Sequence, residues 1–429
     1  MSLMYNHSIT RSKMYMGGSD PVDECFPESQ YSDGGIRFMK NFVQYAPTEV
    51  VFGTGTEAQT GSEIRKWGGS RVFVLYGGGS VVRSGLLDRV EASLKEAELV
   101  YELCGGVKPN PRLSFAEEAR AKALAFGADF VLAVGGGSSI DTAKAVAHGL
   151  ANPDVKLWDI WSGKAPLTKS TPVGVVLTIP AAGSEMSDSA VLTNEETEQK
   201  WGLSTPFNRC KFAIMNPEIP LTLPDYQLAC GVCDIMMHTM ERYFIPDAKS
   251  RMTDEIAEGL LRTVIDNGRQ ALQNRADVDA MAEVMWASSL SHNGLTGCGR
   301  DRDFSVHKFG QALGARHDVA HGASLSAVWE AWAKALYQDE PARFARYARN
   351  VWGVEEADDL KAAEAGIEKT VAFFREIGLP VTVKELGVDP KEEDLKWLAD
   401  EATRGDTVKL TKIRPLGYPE VLEIFRAAL

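Results

Sequence analysis

Four residues in the middle of the sequence have the types and spacing of a metal site. Asp234 and His238 lie four residues apart in a segment with helical apolar spacing, which places both side chains on one helix face. His307 and His321 follow, separated by about four helical turns with a break between them. Carboxylate and neutral imidazole ligands suit a borderline cation such as Zn²⁺ or Fe²⁺. Five of the seven histidines fall between positions 238 and 321, although five ordinary core or surface histidines remain the alternative interpretation.

Two glycine-rich loops each follow a predicted buried strand. They are Gly77-Gly-Gly-Ser80, and Gly135-Gly-Gly-Ser-Ser139 at the start of a predicted helix. Glycines let the backbone approach a ligand closely, and the free amides of a helix N-terminus bind phosphate. Asp141, in the first turn of that helix, is placed to accept a hydrogen bond from a ribose or nicotinamide group. The standard dinucleotide fingerprint is absent, since Ile140 and Val82 stand at its third glycine, but two loops in successive βα units favour a pyrophosphate site.

Composition and charge narrow the class of partner. The net charge of -13 argues against nucleic acid or an anionic membrane as the main partner, because both require a basic surface. No segment approaches the roughly twenty apolar residues of a membrane-spanning helix, and the N-terminus has no apolar signal region. The six cysteines are scattered, as in a reduced cytoplasmic protein. We therefore expect a cytoplasmic protein that binds small molecules rather than nucleic acid or membrane.

The pattern of apolar residues predicts two domains of different class. From residue 39 to 217, strands alternate with helices, which indicates a Rossmann-like parallel sheet covered on both faces. From residue 218 to 429, helical periodicity dominates, with Trp286, Trp329, Trp332 and Phe374 as expected core anchors. Residues 1–38 show little periodicity and are expected to form an N-terminal extension. The fold class is thus an α/β domain followed by an all-α domain, with the metal residues facing the cleft between them.

A metal with an Asp/His shell beside a nucleotide loop fits metal-assisted hydride transfer. The metal would polarise a carbonyl oxygen while a nicotinamide cofactor supplies the hydride. No Tyr-x-x-x-Lys pair occurs, which leaves the short-chain dehydrogenase mechanism without support. No Gly-His-Glu and no clustered four-cysteine lobe occurs, so the zinc-containing medium-chain enzymes are also unsupported.

The ordered set of motifs resembles the iron-containing (group III) alcohol dehydrogenases, from about residue 39 to the C-terminus. This family has a dehydroquinate synthase-like architecture, and the chain is most similar to its butanol dehydrogenase and broad aldehyde reductase branch. The motifs that carry the resemblance are the two glycine loops, Lys108-Pro-Asn-Pro111, Trp158-Asp-Ile-Trp-Ser-Gly163, Pro180-Ala-Ala-Gly-Ser-Glu185, Gly231-Val-Cys-Asp-Ile-Met-Met-His238 and the stretch from His307 to Gly322.

The resemblance implies a role for each matching residue. Asp234, His238, His307 and His321 would be the metal ligands, and His317 a proton relay; His307 and His317 are therefore the expected catalytic residues. The expected pocket for an aliphatic chain is lined by Trp158, Trp161 and Phe304. The expected cofactor contacts are Gly77, Gly78, Gly79, Ser80, Asn110, Gly136, Gly137, Ser138, Asp141, Thr178, Ser184, Val191 and Lys200.

Three further expectations concern the ligands and the assembly. Family members that prefer NAD tend to carry aspartate where this chain has Gly78, so NADP(H) is favoured over NAD(H), together with one divalent metal, Fe²⁺ or Zn²⁺. No pair of basic residues is dedicated to an acidic substrate, and Arg300 and Arg302 are the only nearby candidates. Family members usually dimerise through an N-terminal strand, here Glu49-Val-Val-Phe52, so a homodimer is expected.

The function implied is an NAD(P)H-linked alcohol dehydrogenase or aldehyde reductase. Hydride would pass between nicotinamide C4 and the carbonyl carbon of a primary aliphatic aldehyde held by the metal. A glycerol-type polyol dehydrogenase or a related lyase shares the fold, but typically has three protein ligands and a more polar pocket. A non-redox metal hydrolase would leave the two glycine loops without a ligand, and the intact ligand residues and loops argue against a non-catalytic metal-binding protein.

Overall fold

The computed structural model describes residues 39–246 and 249–429, so the expected extension 1–38 lies outside the described residues. A six-stranded parallel sheet has the order β1-β8-β5-β4-β2-β3, and β6 and β7 form a separate antiparallel hairpin. The strands are β1 (Glu49–Phe52), β2 (Arg71–Tyr76), β3 (Val100–Cys104), β4 (Phe130–Gly135), β5 (Val173–Leu177), β6 (Ser189–Asn194), β7 (Gln199–Ser204) and β8 (Phe212–Met215).

Helices cover the sheet, and its central strands are accordingly apolar along their whole length. Every residue of β4 is buried, because a parallel sheet with both faces covered has no solvent-facing side. The helices of this part are α1 (Thr60–Lys66), α2 (Ser80–Arg83), α3 (Leu86–Glu96), α4 (Leu113–Phe126), α5 (Gly137–Ala151) and α6 (Leu157–Trp161). Gly135 pairs with Leu177, so the loops that follow β4 and β5 leave the sheet side by side at its carboxyl edge.

The second part of the chain is helical, as the periodicity predicts. Trp329, Trp332 and Phe374 are fully buried in its core. The expectation for Trp286 is wrong: it is 40% exposed on the outer face of its helix, where it packs edge-on against Phe52. The helices are α7 (Asp225–Tyr243), α8 (Arg251–Gln273), α9 (Val278–His292), α10 (Ser305–His317), α11 (His321–Leu336), α12 (Pro341–Trp352), α13 (Asp359–Glu376), α14 (Glu392–Thr403) and α15 (Tyr418–Ala427). In the described ranges, none of them has both the length and the apolar character needed to cross a membrane.

Polar contacts join the two parts along the carboxyl edge of the sheet. The Ser289 hydroxyl, on α9, donates to the buried carboxylate of Glu185, which lies in the loop after β5. The Asn110 side-chain amide donates to Asp318, between α10 and α11, over 2.8 Å. The loops after β3 and β5 therefore contact the helical part of the chain, which carries the predicted metal residues.

Candidate metal and nucleotide site

Three of the predicted metal residues converge in a buried centre. Asp234 and His238 lie one turn apart on α7, and His307 lies in the first turn of α10. His238 Nδ1 and His307 Nε2 are each 3.4 Å from Asp234 Oδ1. The potential ligand atoms of these three residues all lie within 4.8 Å of one another, and all three side chains are buried. One cation can contact all three side chains after small adjustments of their positions.

His321 approaches the same carboxylate from a separate helix. It is the first residue of α11 and is half-buried, with Nε2 3.8 Å from Asp234 Oδ1, outside the three-residue group. The break predicted between His307 and His321 is present, because α10 ends at Asp318 in the left-handed conformation (φ 51°). Gly322, the residue that follows His321, lies against α7: a Cβ there would be 2.1 Å from the Cys230 carbonyl oxygen. Glycine thus lets the start of α11 sit directly on α7.

The centre contains polar atoms that the protein itself leaves unpaired. Asp234 Oδ1, His238 Nδ1 and His307 Nε2 are buried and have no hydrogen-bond partner among the described residues. A buried polar atom without a partner costs about 1–3 kcal/mol, and a bound cation removes that cost. The carboxylate and imidazole donors match the preferences of Zn²⁺ and Fe²⁺. The residues present therefore fit a divalent metal.

Glu241 supports the centre and was not predicted from the sequence. It lies on α7 one turn beyond His238, fully buried, and accepts hydrogen bonds from the Nδ1–H and the backbone N–H of His307. The Nδ1 bond fixes the tautomer and leaves Nε2 facing Asp234. Burial alone would lower the pKa of His307, but the carboxylates of Glu241 and Asp234 raise it to about 9. Carboxylates seven residues apart on one helix face were the signal that could have identified Glu241.

The other imidazoles of the centre are held neutral by burial. Burial lowers the pKa of His321 to about 3, and lowers that of His238 well below its ordinary value. Neutral imidazole is the form that binds a metal, so both residues are ready to act as ligands.

Two aromatic rings cover the metal residues. Phe304, a predicted pocket residue, lies with its ring centre 5.5 Å from that of His307 and 6.5 Å from that of His238. His292, at the end of α9, was not predicted; its ring centre is 3.9 Å from that of His238. Its Nδ1–H donates to the Ala182 carbonyl over 2.7 Å, which leaves Nε2 as an acceptor. A single histidine has no spacing partner, so the sequence offered no signal for it.

The glycine loop after β4 has the close packing that the motif predicts. A Cβ on Gly136 would lie 2.9 Å from the Ile179 side chain, and one on Gly137 would lie 3.1 Å from Ala182. Because α5 begins at Gly137, the first amides of the helix, including that of Ser138, have no partner within the helix. Thr178 follows β5 directly and donates its backbone N–H to the Gly135 carbonyl. These four predicted cofactor residues therefore share one edge of the sheet.

Asp141 anchors two other predicted cofactor residues. Its two carboxylate oxygens accept from the Ser184 hydroxyl over 2.6 Å and from the Val191 backbone N–H over 2.9 Å. Burial raises its pKa, against the opposing effect of the Lys144 charge. Lys144, fully buried, donates to the Ser184 carbonyl over 2.7 Å. The carboxylate thus holds the loop after β5 against the start of β6, a contact that needs a hairpin the sequence did not reveal.

Lys200 and Asn110 lie between the nucleotide loops and the metal residues. Lys200 Nζ donates to Asn110 Oδ1 over 2.7 Å. Burial lowers the pKa of Lys200 to about 8, with the charges of Asp141, Asp234 and Asp318 acting in the opposite direction. Carboxylates of both halves therefore surround this amine.

The loop after β2 is open on its outer side. A Cβ on Gly78 would meet no atom within 4 Å, whereas one on Gly79 would lie 2.5 Å from the Arg83 guanidinium. Gly77 precedes them, and Ser80 begins the short helix α2 with its side chain exposed. The loop thus combines free space with a nearby positive charge.

Three further predicted site residues have contacts outside the group of metal residues. Trp161 is 4% exposed and donates its indole N–H to the Ala190 carbonyl, and Trp158 packs against Trp201; both lie beneath the β6–β7 hairpin. His317 ends α10, where its charged neighbours are Asp394, Arg316 and Glu198; burial lowers its pKa. The pocket role of the tryptophans and the relay role of His317 stay predictions that rest on the resemblance.

Comparison with known proteins agrees with this geometry. Residues 47–217 match the model of the iron-containing alcohol dehydrogenase family, and residues 228–429 match the C-terminal model of the same family. The chain is 37% identical to the NADH-dependent butanol dehydrogenase A of Clostridium acetobutylicum over 390 residues, which cover 90% of this chain and 99% of that protein. It is 34% identical to an NADPH-dependent aldehyde reductase of Escherichia coli K12, over 82% of this chain and 90% of the relative.

A solved structure extends the similarity to three dimensions. The crystal structure of an NADH-dependent butanol dehydrogenase A from Thermotoga maritima superimposes with a TM-score of 0.87 at 36% identity, and the match covers 91% of this chain and 99% of that one. The buried Asp/His centre therefore lies in the same two-part architecture. The chain belongs to the iron-containing alcohol dehydrogenase family, whose named relatives are alcohol dehydrogenases and aldehyde reductases.

Proposed function

We propose that this protein is a metal-dependent aldehyde reductase and alcohol dehydrogenase that uses NAD(P)H, with NADP(H) preferred. The observation that carries the proposal is the group of unpaired, buried ligand atoms on Asp234, His238 and His307. This group adjoins the loop after β5, because His292, whose ring centre is 3.9 Å from that of His238, donates to the Ala182 carbonyl. His321 completes the proposed ligand set from the start of α11. The substrate is a primary aliphatic aldehyde or alcohol, as the butanol dehydrogenase and aldehyde reductase relatives suggest.

The bound groups would supply the reactive chemistry, with the cation acting as a Lewis acid on the carbonyl oxygen and the nicotinamide carrying the hydride. The chain's own residues position these groups. Glu241 orients His307, Gly322 seats His321 on α7, and Asp141 holds the loop after β5 beside the glycine loop. Phe304 and His292 cover the centre and exclude water from it, which strengthens the electrostatic interactions inside.

The cofactor preference is proposed from the loop after β2. Gly78 carries no carboxylate that would repel a 2′-phosphate, and the Arg83 guanidinium lies beside Gly79. An arginine near this loop is a common partner of the 2′-phosphate of NADP, and the Ser80 hydroxyl offers a further donor. The named relatives include both NADH- and NADPH-dependent enzymes, so the choice depends on these local residues.

The proposed assembly is a homodimer formed through the edge of the sheet. Strand β1 is the last strand on its side, and its outer backbone groups have no partner strand among the described residues. The preceding segment exposes Phe42, Val43 and Tyr45, each more than 40% accessible. An unpaired strand edge beside apolar side chains favours pairing with a second chain.

The test is oxidation of NADPH or NADH with butanal, followed at 340 nm. The protein would first be stripped of metal and reconstituted with Fe²⁺ or Zn²⁺. We expect metal-dependent turnover that is lost in Asp234→Ala and His307→Ala, while the remote, exposed Asp389→Ala keeps it. If no aldehyde supports oxidation of either nucleotide with either metal, the proposed function is wrong.

A further inference from the structure

Arg242 brings a buried positive charge next to the metal centre. It follows His238 by four residues on α7, about 6 Å along the helix axis, and its side chain is buried. Its guanidinium lies 4.7 Å from the centre of the Phe304 ring, which itself packs against His238. The guanidinium therefore lies behind the ring that covers the metal residues.

The protein does not balance this charge with a carboxylate. Arg242 Nη1 donates to the carbonyls of His238 and Ser291, over 2.6 and 3.2 Å, and its buried Nε has no partner among the described residues. No carboxylate oxygen of the described residues forms an ion pair with Arg242. Arg300, one of the two arginines that the sequence suggested for an acidic substrate, is fully buried in an ion pair with Asp254 over 2.7 Å and is not available to a ligand.

The surroundings of Arg242 contain a surplus of positive charge. Arg302 and Arg209 share one carboxylate, that of Asp188, at 4.0 and 3.6 Å. Three guanidinium groups thus face one free carboxylate, because Glu241 is already bonded to His307. The side chains of Arg302 and Asp188 are 34% and 25% exposed, so this cluster is open to solvent on the side away from Arg242.

Helix ends explain part of this arrangement but not all of it. The Ser291 carbonyl bound by Arg242 belongs to the last turn of α9, where the helix dipole favours a cation, whereas the His238 carbonyl lies one turn before the last turn of α7. That contact uses only one guanidinium nitrogen. It does not account for the unpaired Nε, or for the partly exposed Arg302 beside a carboxylate that is shared with Arg209.

We propose that Arg242 and Arg302 form a subsite for an anionic group carried by the substrate. The substrate is then an aldehyde, or the corresponding alcohol, with a carboxylate, sulfonate or phosphate a few atoms from its carbonyl. Phe304 separates the subsite from the metal residues, so its ring packs against the short carbon chain between the two functional groups. Guanidinium groups form charge-assisted hydrogen bonds with all three anions. This inference rests on the proposed reductase function and specifies its substrate class.

The experiment compares an anionic aldehyde, succinic semialdehyde, with its neutral methyl ester, which lacks the charge and carries one additional methyl group. We expect the wild-type protein to show a kcat/KM for the acid roughly tenfold or more above that for the ester. This is the difference expected when charge-assisted hydrogen bonds form with the acid and not with the ester. In Arg302→Gln, this ratio of kcat/KM values should fall to one or below. The control Arg349→Gln removes an equally exposed arginine (34%) on α12 and leaves the ratio as in the wild type.

A binding measurement separates this inference from the proposed function. Calorimetry with succinate, which cannot react, should show binding to the wild-type protein and weakened binding to Arg302→Gln and Arg242→Gln. Turnover of neutral aldehydes with no preference for the acid, and no succinate binding, overturns the inference and leaves the reductase function standing. Succinate binding without turnover of any aldehyde contradicts the reductase function while supporting the subsite. If Arg242→Gln only lowers thermal stability and leaves succinate binding intact, Arg242 is a helix cap and not part of the subsite.

Discussion

At the scale of single residues, the open space around Gly78 makes this position a switch for cofactor choice. A Cβ at this position meets no atom within 4 Å, so the backbone has open space for the start of an aspartate side chain. Its carboxylate would repel the 2′-phosphate of NADPH and accept hydrogen bonds from the ribose of NADH. We expect Gly78→Asp to shift the ratio of kcat/KM for NADPH to that for NADH by roughly tenfold or more toward NADH.

Gly78→Asn is the matched control for that prediction. It adds a side chain of the same shape without the charge, so the ratio should change much less than with aspartate. Steady-state kinetics with both nucleotides at one fixed aldehyde concentration measure the effect. Equal shifts in the two variants would show that the shape of the side chain, and not its charge, determines the preference.

His148 makes the stability of the protein depend on pH. It is fully buried; Nε2–H donates to Asn208, and Nδ1 contacts the Ser170 hydroxyl. Burial lowers its pKa from 6.5 to about 4. Between these values the unfolded chain binds the proton and the folded chain does not, so stability falls as pH falls from 6.5 to 4. The full loss is about 3 kcal/mol, of which about 2 kcal/mol appears by pH 5.

Urea unfolding at pH 7.5 and pH 5.0 tests this prediction. His148→Gln has no proton to bind, so the difference in unfolding free energy between the two pH values should be smaller by about 2 kcal/mol than in the wild type. Other buried histidines titrate in both proteins and cancel in the comparison. The same pH dependence in both proteins would argue against a neutral, buried His148.

Residue type and spacing predict the metal residues better than they predict the residues around them. Asp234 and His238 share one helix, so helical geometry alone brings them together. Glu241 gains its role only when folding brings His307 to it from 66 residues away. The surplus charge at Arg242 likewise depends on Asp188 and Arg302, which come from two other segments. Such roles depend on tertiary contacts, which one sequence does not show.

At the scale of secondary structure, the contact between α7 and α11 determines where His321 lies. A Cβ at position 322 would be 2.1 Å from the Cys230 carbonyl oxygen, and backbone cannot move aside as a flexible side chain does. We expect Gly322→Ala to push α11 away from α7 and to weaken metal binding by roughly tenfold or more. The overpacking should also lower stability by about 1–3 kcal/mol.

Gly259→Ala provides the control for the helix contact. This glycine lies inside α8, and its added Cβ would meet only the end of the Arg262 side chain, at 3.9 Å. Alanine should stabilise the helix by about 1 kcal/mol and leave metal binding unchanged. Metal content after dialysis and thermal melting with a chelator report the two effects separately. Full metal content in Gly322→Ala would show that the start of α11 does not position a ligand.

The strands and helices whose apolar residues repeat with one regular period were predictable from the sequence. Those whose pattern of apolar residues depends on packing against other elements were not. Strand β2 and the helical character from α7 onward agree with the apolar pattern. The β6–β7 hairpin did not appear in that pattern, because its strands mix polar and apolar residues according to which side packs on α5 and α6. Trp286 was expected inside because of its type, but its helix presents that face to solvent.

At the scale of the whole molecule, the unpaired edge of β1 predicts the oligomeric state. The backbone N–H groups of Glu49 and Gly53 donate toward β8. Because the N–H groups of successive residues in a strand point to opposite sides, the N–H of Val50 points outward from the edge of the sheet, away from β8. Proline at position 50 removes this outward donor and leaves the pairing with β8 intact. We expect the wild-type protein to be a dimer and Val50→Pro to be largely monomeric in sedimentation velocity experiments.

Val50→Ala separates the backbone from the side chain. It removes the valine methyl groups but keeps the N–H, so it should remain dimeric. Circular dichroism should show the same fold for both variants. A monomeric wild-type protein, or a dimer that tolerates proline at this position, would contradict pairing through this strand edge.

The hydrogen bonds from Asn110 and Arg112 to Asp318 join the nucleotide half to the turn from which His321 extends. A nucleotide that moves the turn at Lys108–Pro111 therefore acts on the position of His321, and a cation that fixes His321 acts on that turn. Thermodynamic linkage makes the two effects equal: the factor by which nucleotide changes cation affinity is the factor by which the cation changes nucleotide affinity. Each ligand then reports the occupancy of the other, and a substitution that alters the turn changes both affinities together.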